Sequence, residues 1–455
     1  MHVCVMGAGI VGLSTAYALT QKGHRVTVID QAEAGQGASG GNGAQLSYAY
    51  VQPMADPGIW AQLPKLVFSP SSALKIRPQW DPAQWSWLLQ FLQACNTAQS
   101  QRTTAQLLSL AAQSRATLDL WRTQEALDID FSSSGKLVMF RSPAAFEGAR
   151  QQLALQQRLG GAPQQAVSSD EACAIEPALA PRRDDFAGGI YTDSECAADC
   201  FKLCQSLVKI LSTRGVQWCM GQAVERLRVR QHRLQAVQLA TGQDIAADAF
   251  VLSTGHSAPK LAAQVGIRLP IYPLKGYSIT VDTNGPSLAP RVSITDSARK
   301  VVFARLGDRL RVAGMVELVG RDTRVIQERI DSLQHDTQDL FGDCSDWRDV
   351  QPWTGMRPAT PTGLPIVGRQ AQGPSNLWLN TGHGGLGFTL AAGLREDLFR
   401  GREGLDFPCH GFSVSFEAEA GEELLAAWFD GRVQAPGREH QHIEVLDRCV
   451  LRQLA

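Results

Sequence analysis

The chain has 455 residues, of which 44% are hydrophobic and 19% charged, with 43 basic and 44 acidic side chains for a net charge of −1. That length is enough for two or three domains with cores of their own, and the balanced charge excludes a surface that draws in nucleic acid or anionic lipid by its field alone. Apolar runs stay short of the ~18 residues of a membrane span, and the ten cysteines contain no C-x-x-C pair, as fits reduced thiols.

The chain opens on an apolar strand, Val3-Cys4-Val5-Met6, that runs directly into Gly7-Ala8-Gly9-Ile10-Val11-Gly12. A helix follows, returns through Gly23, and leads to a second strand, Val26-Thr27-Val28-Ile29, ending on Asp30. Gly7 lets the chain turn off the strand, Gly9 lets a pyrophosphate approach the backbone, and Gly12 lets the helix lie close on the sheet. The helix N-terminus offers free N–H groups and a positive dipole end. Asp30 lies 18 positions beyond Gly12, near the ~20 expected of an acid that binds a ribose hydroxyl. A bare GxGxxG would say little; set between two strands and followed by the acid, it predicts a dinucleotide-binding βαβ unit. A cleaved signal peptide would have to remove this unit, so the expected location is cytoplasmic, with peripheral attachment to the inner face of the plasma membrane left open.

After a polar loop, Ser39-Gly40-Gly41-Asn42-Gly43-Ala44-Gln45 forms a second glycine-rich stretch. Its N–H and side-chain groups suit the far side of an extended cofactor, although the composition alone also fits a linker. Residues 51–130 change character. Prolines 53, 57, 64, 70, 78 and 82 punctuate a segment with Trp60, Trp80, Trp85 and Trp87, and Leu107, Leu110, Ala111, Ser114, Leu118 and Trp121 keep helical spacing. This reads as an inserted, partly helical cap. The run Trp85–Leu92 fits a core helix, the commoner use, or a surface that meets a membrane or a quinone.

A strand at 135–140, a helix at 147–159 and a capping-box start at Ser168-Ser169-Asp170-Glu171 follow. Cys196 to Thr213 reads as one helix with Cys196, Cys200 and Cys204 on one face, packed as small apolar side chains rather than as metal ligands. Strands at 216–219 and 224–229 are expected to rejoin the nucleotide sheet. Phe250-Val251-Leu252 ends in Ser253-Thr254-Gly255. Ile271 to Val281 reads as a strand pair, 301–305 with 310–313 as a hairpin, and 321–340 as a helix. Arg357 stands in Gly355-Met356-Arg357-Pro358, and Thr381-Gly382-His383-Gly384-Gly385-Leu386-Gly387-Phe388-Thr389 is a third glycine-rich turn opening a helix. Near the end, 417–429 reads as a helix and His410, His440 and His442 as surface residues.

Three glycine-rich turns spread over the chain argue for a cofactor longer than NAD, held by a discontinuous domain. Over residues 1–412 the sequence resembles the D-amino-acid oxidase-like flavoprotein superfamily and, within it, the bacterial D-amino acid dehydrogenases. The resemblance rests on the opening motif, Ser39–Gln45, Glu176-Pro177-Ala178-Leu179, Tyr272-Pro273-Leu274-Lys275-Gly276-Tyr277-Ser278, Gly314-Met315-Val316-Glu317, Trp353–Pro358 and Leu379–Gly384. The family usually has Asn-Ala-Gly where this chain has Asn42-Gly43-Ala44.

The resemblance implies an α/β fold: a discontinuous Rossmann-like FAD-binding domain (1–50, 193–263 and 351–404) and a substrate or cap domain (51–192 and 264–350) built on an antiparallel or mixed β-sheet with a helical insert. Residues 405–455 are left as a C-terminal extension. The resemblance further implies that Gly7, Gly9, Gly12 and Asp30 hold the adenosine diphosphate part of FAD. Ser39, Asn42, Gly43 and Gln45 would line the middle of the cofactor, Val224 would meet the adenine, and Thr254 and Gly255 would close over it. Gly382, His383, Gly385, Gly387 and Thr389 would sit at the isoalloxazine end. No metal is implied.

Such an enzyme moves a hydride from Cα of an amino acid to the flavin, which supplies the difficult chemistry. The protein must hold the reacting carbon within about 3–3.5 Å of the acceptor atom and satisfy a buried carboxylate, the task of a planar arginine. Arg357 is the candidate, against the plainer reading of an arginine that closes a loop. Tyr277 is a candidate second donor, against an ordinary half-buried strand tyrosine, and His383 reads as holding its turn rather than as a base. The implied partners are a small amino acid and an electron acceptor such as a quinone or respiratory carrier. Neighbouring readings are an oxidase or dehydrogenase for glycine, sarcosine or hydroxyproline, and a flavin-holding subunit without activity. A tRNA-modifying flavoenzyme would want a basic surface, which the charge balance does not supply.

Overall fold

The computed structural model describes residues 1–51, 53–60, 74–284 and 288–393. The expected extension at 405–455, its helix and its histidines lie outside the described residues. The chain runs β1 (His2–Met6), α1 (Ile10–Gln21), β2 (Arg25–Ile29), β3 (Gln45–Leu46), β4 (Leu74–Ile76), α2 (Pro82–Ala94), α3 (Thr97–Gln124), β5 (Lys136–Phe140) and α4 (Pro143–Arg158). Next come β6 (Gln165–Val167), α5 (Ser169–Ile175), β7 (Gly188–Thr192), β8 (Cys196–Ala197), α6 (Cys200–Thr213), β9 (Gln217–Cys219), β10 (Val224–Arg230), β11 (Arg233–Leu239), β12 (Asp244–Ala246), β13 (Ala249–Leu252) and α7 (Ala258–Ala263). The last are β14 (Tyr272–Asp282), β15 (Ser293–Asp296), β16 (Val301–Leu306), β17 (Arg309–Leu318), α8 (Gln327–Phe341), β18 (Gln351–Ala359), β19 (Ile366–Gly368), β20 (Leu377–Thr381) and α9 (Gly387–Leu390).

Two large sheets dominate. The first has the order β19-β20-β13-β1-β2-β9 and is parallel except for β19. Its strands are short and apolar because both faces are covered. Val3, Val5, Val26 and Val28 pack under α1 and α6. Cys4, Met6, Phe250 and Leu252 pack against Leu227, Leu234, Val237 and Leu239 of a separate antiparallel sheet, β10-β11-β12. The segment at 224–229 therefore does not rejoin the nucleotide sheet as expected; only 217–219 does. Glu225, Arg226, Arg228 and Arg230 explain the difference, since a strand this charged fits a sheet with one wet face and not one buried on both.

The second sheet has the order β18-β14-β17-β16-β15-β5-β7-β6, with β4 beside β17. β18, grouped by the sequence with the FAD-binding segments, pairs along β14 in this sheet. β14 is one strand of 11 residues rather than a strand pair. Gly276 lies mid-strand, and the Arg357 guanidinium occupies the space its side chain would take. On the outer face, Tyr277, Ile279, Val281, Leu310 and Val312 pack against Ile330, Leu333 and Leu340 of α8.

The cap segment divides. α3 carries its helical stripe into the first core, where Trp121 meets Tyr17 at 4.6 Å between ring centroids. α2 is capped by Asp81 and buries Trp87 and Phe91, stacked at 5.2 Å, with Tyr272 and Leu274. Its other side leaves Trp85 48% and Leu89 62% exposed, with Trp80 exposed just before it. The Trp85–Leu92 run thus serves both as core and as surface. Ser168 and Glu171 form the expected capping box. Cys196 does not share a helical face with Cys200 and Cys204: it lies in β8, opposite Leu46, and the helix begins only after its cap, Asp199, which accepts N–H groups of Phe201 and Lys202.

Candidate active site

The carboxyl ends of the parallel strands converge on one cavity of about 890 Å³, at the place where open α/β sheets bind ligands and near the upper end of the ~300–1,000 Å³ usual for ligand pockets. Gly7 leaves β1 with φ +108°, and a Cβ there would overlap the Ser253 carbonyl. Gly9 caps α1 without a side chain. The N–H of Ile10 donates to Ser39 Oγ (3.0 Å), that of Ala8 to Asp30 Oδ2 (2.7 Å) and that of Ala32 to Asp30 Oδ1 (3.0 Å). Gly12 does not line the cavity; a Cβ at Gly12 would collide with the Gly7 carbonyl, so its role is to seat the helix.

The second glycine stretch lies between the two sheets. Gly41 is covered by the Trp353 ring, and Val302 stands 2.9 Å from where a Gly43 Cβ would be. Gly41 O accepts from Ser278 Oγ (2.7 Å), Asn42 O from Arg311 Nη1 (2.9 Å), and Gln45 Nε2 donates to the carbonyls of Ile294 and Phe303 (3.1 and 3.3 Å). Asn42 Oδ1 accepts the N–H of Ala44 (2.9 Å), which carries φ +58°.

At the third turn, Gly382 has φ +81° and Gly384 φ +56°. His383 is buried and its pKa is pushed down to about 4 by that burial, so the ring is neutral. Thr389 Oγ1 accepts the Ser47 N–H (3.4 Å). Arg357 reaches in from β18 above this turn, its Cδ 3.8 Å from where a Gly385 Cβ would stand. Nη1 donates to the Met315 carbonyl (2.9 Å). Burial pushes the pKa of the guanidinium down to about 10, and no carboxylate pairs with it among the described residues.

Every expected cofactor residue except Gly12 lines this one cavity, together with Arg357, His383 and Tyr277. Tyr277 lines the cavity, but its hydroxyl donates to Glu317 Oε2 (2.8 Å), and the other oxygen of that carboxylate, Oε1, takes Arg329 of α8. Side chains alternate along a strand; Gly276 and Ser278 face the glycine loops, so Tyr277 directs its hydroxyl to the α8 side.

Among the wall residues given no role from the sequence are Lys136, Ser253, Trp353 and Asn380. A lysine opening the otherwise apolar run Lys136–Phe140 was the available signal for the first; the others stood inside quoted motifs, but their place on the wall comes from distant partners. Among the described residues Asp30 is the one carboxylate on the wall, against Lys136, Lys260, Lys300, Arg321 and Arg357. Ser253 Oγ, Thr254 Oγ1, Asn380 Oδ1 and His383 Nε2 are buried without hydrogen-bond partners, and all four residues face this cavity. Such groups are rare in a finished interior. A long, anionic, polar-edged cofactor fits them and fits the wall's charge.

A switch-point cavity lined by three glycine turns and a buried arginine defines a dinucleotide-dependent oxidoreductase. The chain belongs to the FAD dependent oxidoreductase family, whose model matches residues 2–396. It is 44% identical over 416 residues to D-amino acid dehydrogenase 2 of Ralstonia nicotianae, covering 88% of this chain and 97% of that one. It is also 44% identical over 395 residues to the Pseudomonas aeruginosa protein of the same name, covering 86% and 92%. In fold it is similar to the glycine oxidase of Geobacillus kaustophilus (TM-score 0.68, 23% identity, 86% of this chain and 92% of that one). FAD is the cofactor the family prescribes, and the cavity fits it.

Proposed function

We propose that this chain oxidises D-amino acids to imines, which water converts to a 2-oxo acid and ammonium. The observation that carries the reading is Arg357: a buried guanidinium with no acid of its own, opening onto the cavity beside the third glycine turn. A substrate carboxylate supplies the missing anion with two parallel hydrogen bonds, and it orients Cα toward the cofactor. Bound FAD would supply the acceptor for the hydride that leaves Cα.

The chain's other residues position and exclude. The turn at Gly7–Gly9 and the start of α1 face the pyrophosphate, with Ser39 already taking the Ile10 N–H and leaving later ones free. Asp30 meets the ribose, Val224 the adenine, and Asn42, Gly43 and Gln45 the middle of the cofactor. Thr254 and Gly255 cover it, and Gly382, Gly385, Gly387 and Thr389 meet the ring. His383, kept neutral by burial, shapes its turn. Among the described residues the wall offers no carboxylate near Arg357 to take a proton from an ammonium, so the substrate reacts as its neutral amine.

The electrons leave to a quinone or another respiratory carrier, and the protein works at the cytoplasmic face of the plasma membrane. The exposed aromatic side of α2, with Trp80, Trp85 and Leu89, supports this reading.

An anaerobic visible spectrum of the purified protein with D-alanine, L-alanine, sarcosine and D-proline in turn is the test. Bleaching by the D-amino acids and not by L-alanine is expected. Bleaching by sarcosine alone would move the site to secondary amines, and a yellow protein that none of them bleaches would sink the reading. Recovery of colour in air separates an oxidase, which recovers fast, from a dehydrogenase.

A further inference from the structure

Lys136 is a buried charge that neither the fold nor the carboxylate clamp uses. It opens β5 and is 5% exposed, yet it belongs to the cavity wall. Its Nζ donates to Ser47 Oγ at 2.7 Å and lies 4.7 Å from the centroid of the Tyr50 ring. An ammonium has three donors, and Ser47 accepts one of them. The acid that acts on it through space is Glu195. Both Glu195 oxygens are committed to the N–H groups of Tyr48, Ala49 and Tyr50. A buried cation left in this state is costly unless an anion comes to meet it.

The place along the cavity follows from the sheet. Ser47, which holds Lys136, donates its own N–H to Thr389, just past the third glycine turn at the end of β20. Asp30, at the end of β2, is three strand positions away in the order β20-β13-β1-β2, roughly 14 Å at ~4.8 Å per strand. Lys136 therefore stands at the isoalloxazine end of an FAD laid across these strands and not at its adenosine end.

We infer that Lys136 is the cation that holds the negative charge the isoalloxazine ring acquires on reduction, and that it thereby raises the reduction potential of the bound FAD. The inference rests on the FAD placement above. In a site closed to water, a fixed charge beside a developing one acts far more strongly than in solvent. Arg357 is reserved for the substrate, so the ring needs its own counter-charge. Burial holds the Lys136 pKa down to about 8; the charge is present at neutral pH and lost above it. The titratable groups that face it, Tyr50 and Glu195, are both pushed up by burial.

The test uses the full chain loaded with FAD. Sulfite adds through sulfur to N5 of the oxidised ring and leaves the ring anionic, so its dissociation constant reads the stabilisation of charge without any substrate. K136M and K136Q should keep FAD but bind sulfite at least tenfold more weakly. Their potentials should fall by the equivalent of that factor, about 30 mV for two electrons. K136R should restore most of both. Unchanged sulfite affinity and potential in K136M would overturn the proposal. Should the neutral variants not hold FAD, the unsubstituted protein decides: its sulfite affinity, corrected for the ionisation of sulfite, must weaken as pH rises from about 8 through the ordinary lysine range at ~10.4, and a profile flat across that whole range refutes the role. A protein that binds no FAD at all would instead count against the cofactor placement.

Discussion

The Gly7–Gly12 turn is held by its own sheet, whereas the Ser39–Gln45 stretch is held by the other one. In the first, the Gly7 N–H donates to the Ile29 carbonyl of the neighbouring strand at 2.7 Å, Ala8 to Asp30, and Gly12 closes over Gly7. Each partner lies within about thirty residues, or on β13 beside it. In the second, Ser39 takes the Ile10 N–H and Gln45 pairs with Ala197, but the fixed points on the facing sheet are Ser278, Ile294, Phe303, Arg311 and Trp353, all more than two hundred positions away. A turn fixed by adjacent parallel strands is a local device. A loop fixed by a facing sheet exists only once the whole molecule has closed.

Substitutions can break this contrast. The largest effect is expected from Gly12→Val, which puts a branched side chain where the Gly7 carbonyl already stands. Overpacking costs ~1–3 kcal/mol or more, and here it also displaces the helix that faces the pyrophosphate. A colourless protein with a lowered melting temperature is expected; yellow protein with the parental melt would show that the turn tolerates what its geometry forbids. Next, Arg357→Ala removes a side chain that the second sheet carries into the cavity. It should keep FAD and lose ~2–5 kcal/mol in kcat/KM, the range for a buried charged partner. Steady-state kinetics on the loaded variant checks this, and parental kinetics would remove Arg357 from the site.

A pH series sharpens the third turn. His383 has a pKa of about 4 in the fold against 6.5 in an open chain. The unfolded chain therefore binds a proton that the fold refuses, and stability is full above about 6.5 and lost as pH falls toward 4. His383→Asn should flatten that acid limb in urea midpoints measured across the range; an unchanged limb would assign it to another group.

Smaller effects probe the second sheet's two faces. Tyr277→Phe should cost about 1 kcal/mol of stability, one hydrogen bond to Glu317, with KM unmoved. A raised KM would turn the hydroxyl back toward the substrate. Ala44→Gly should be almost silent in a thermal melt. Relief of a left-handed alanine (~1–2 kcal/mol) is offset by a lost buried methyl (~0.8) and by the added freedom of glycine (~0.5–1). A shift of more than about 1 kcal/mol either way would mean that Ala44 carries something besides strain.

What was legible follows the same division. The βαβ unit, its acid, the capping box at Ser168 and the stripe from Leu107 to Trp121 depend on spacing within one element, and the structure has them as expected. Ile271–Val281 was read as a strand pair, whereas it is one strand whose Gly276 is glycine because of Arg357, 81 positions on. Val224–Val229 misled because it was read as a strand of the nucleotide sheet without weighing its three charges, Glu225, Arg226 and Arg228. Arg357 was legible as an arginine in a tight Gly–Met–Arg–Pro context, yet its lack of an acid partner is a fact of packing. Lys136 became visible only when β5 was placed beside Ser47. The Tyr277 hydroxyl followed strand parity, which could be counted only once Gly276 was known to lie inside the strand.

The nucleotide sheet also carries a built-in clock. Cys4 lies on one face of its central strand and Cys200 at the start of the helix on the other, both free and buried. Burial pushes both thiols well above their usual range, so neither forms the thiolate that a labelling reagent attacks. Among the described cysteines, Cys173 and Cys219 are only partly buried and should label before the buried ones. The delay before Cys4 and Cys200 react then times the opening of each layer. Any lengthening of that delay on adding FAD would measure, layer by layer, how far the cofactor cements the sheet it rests on.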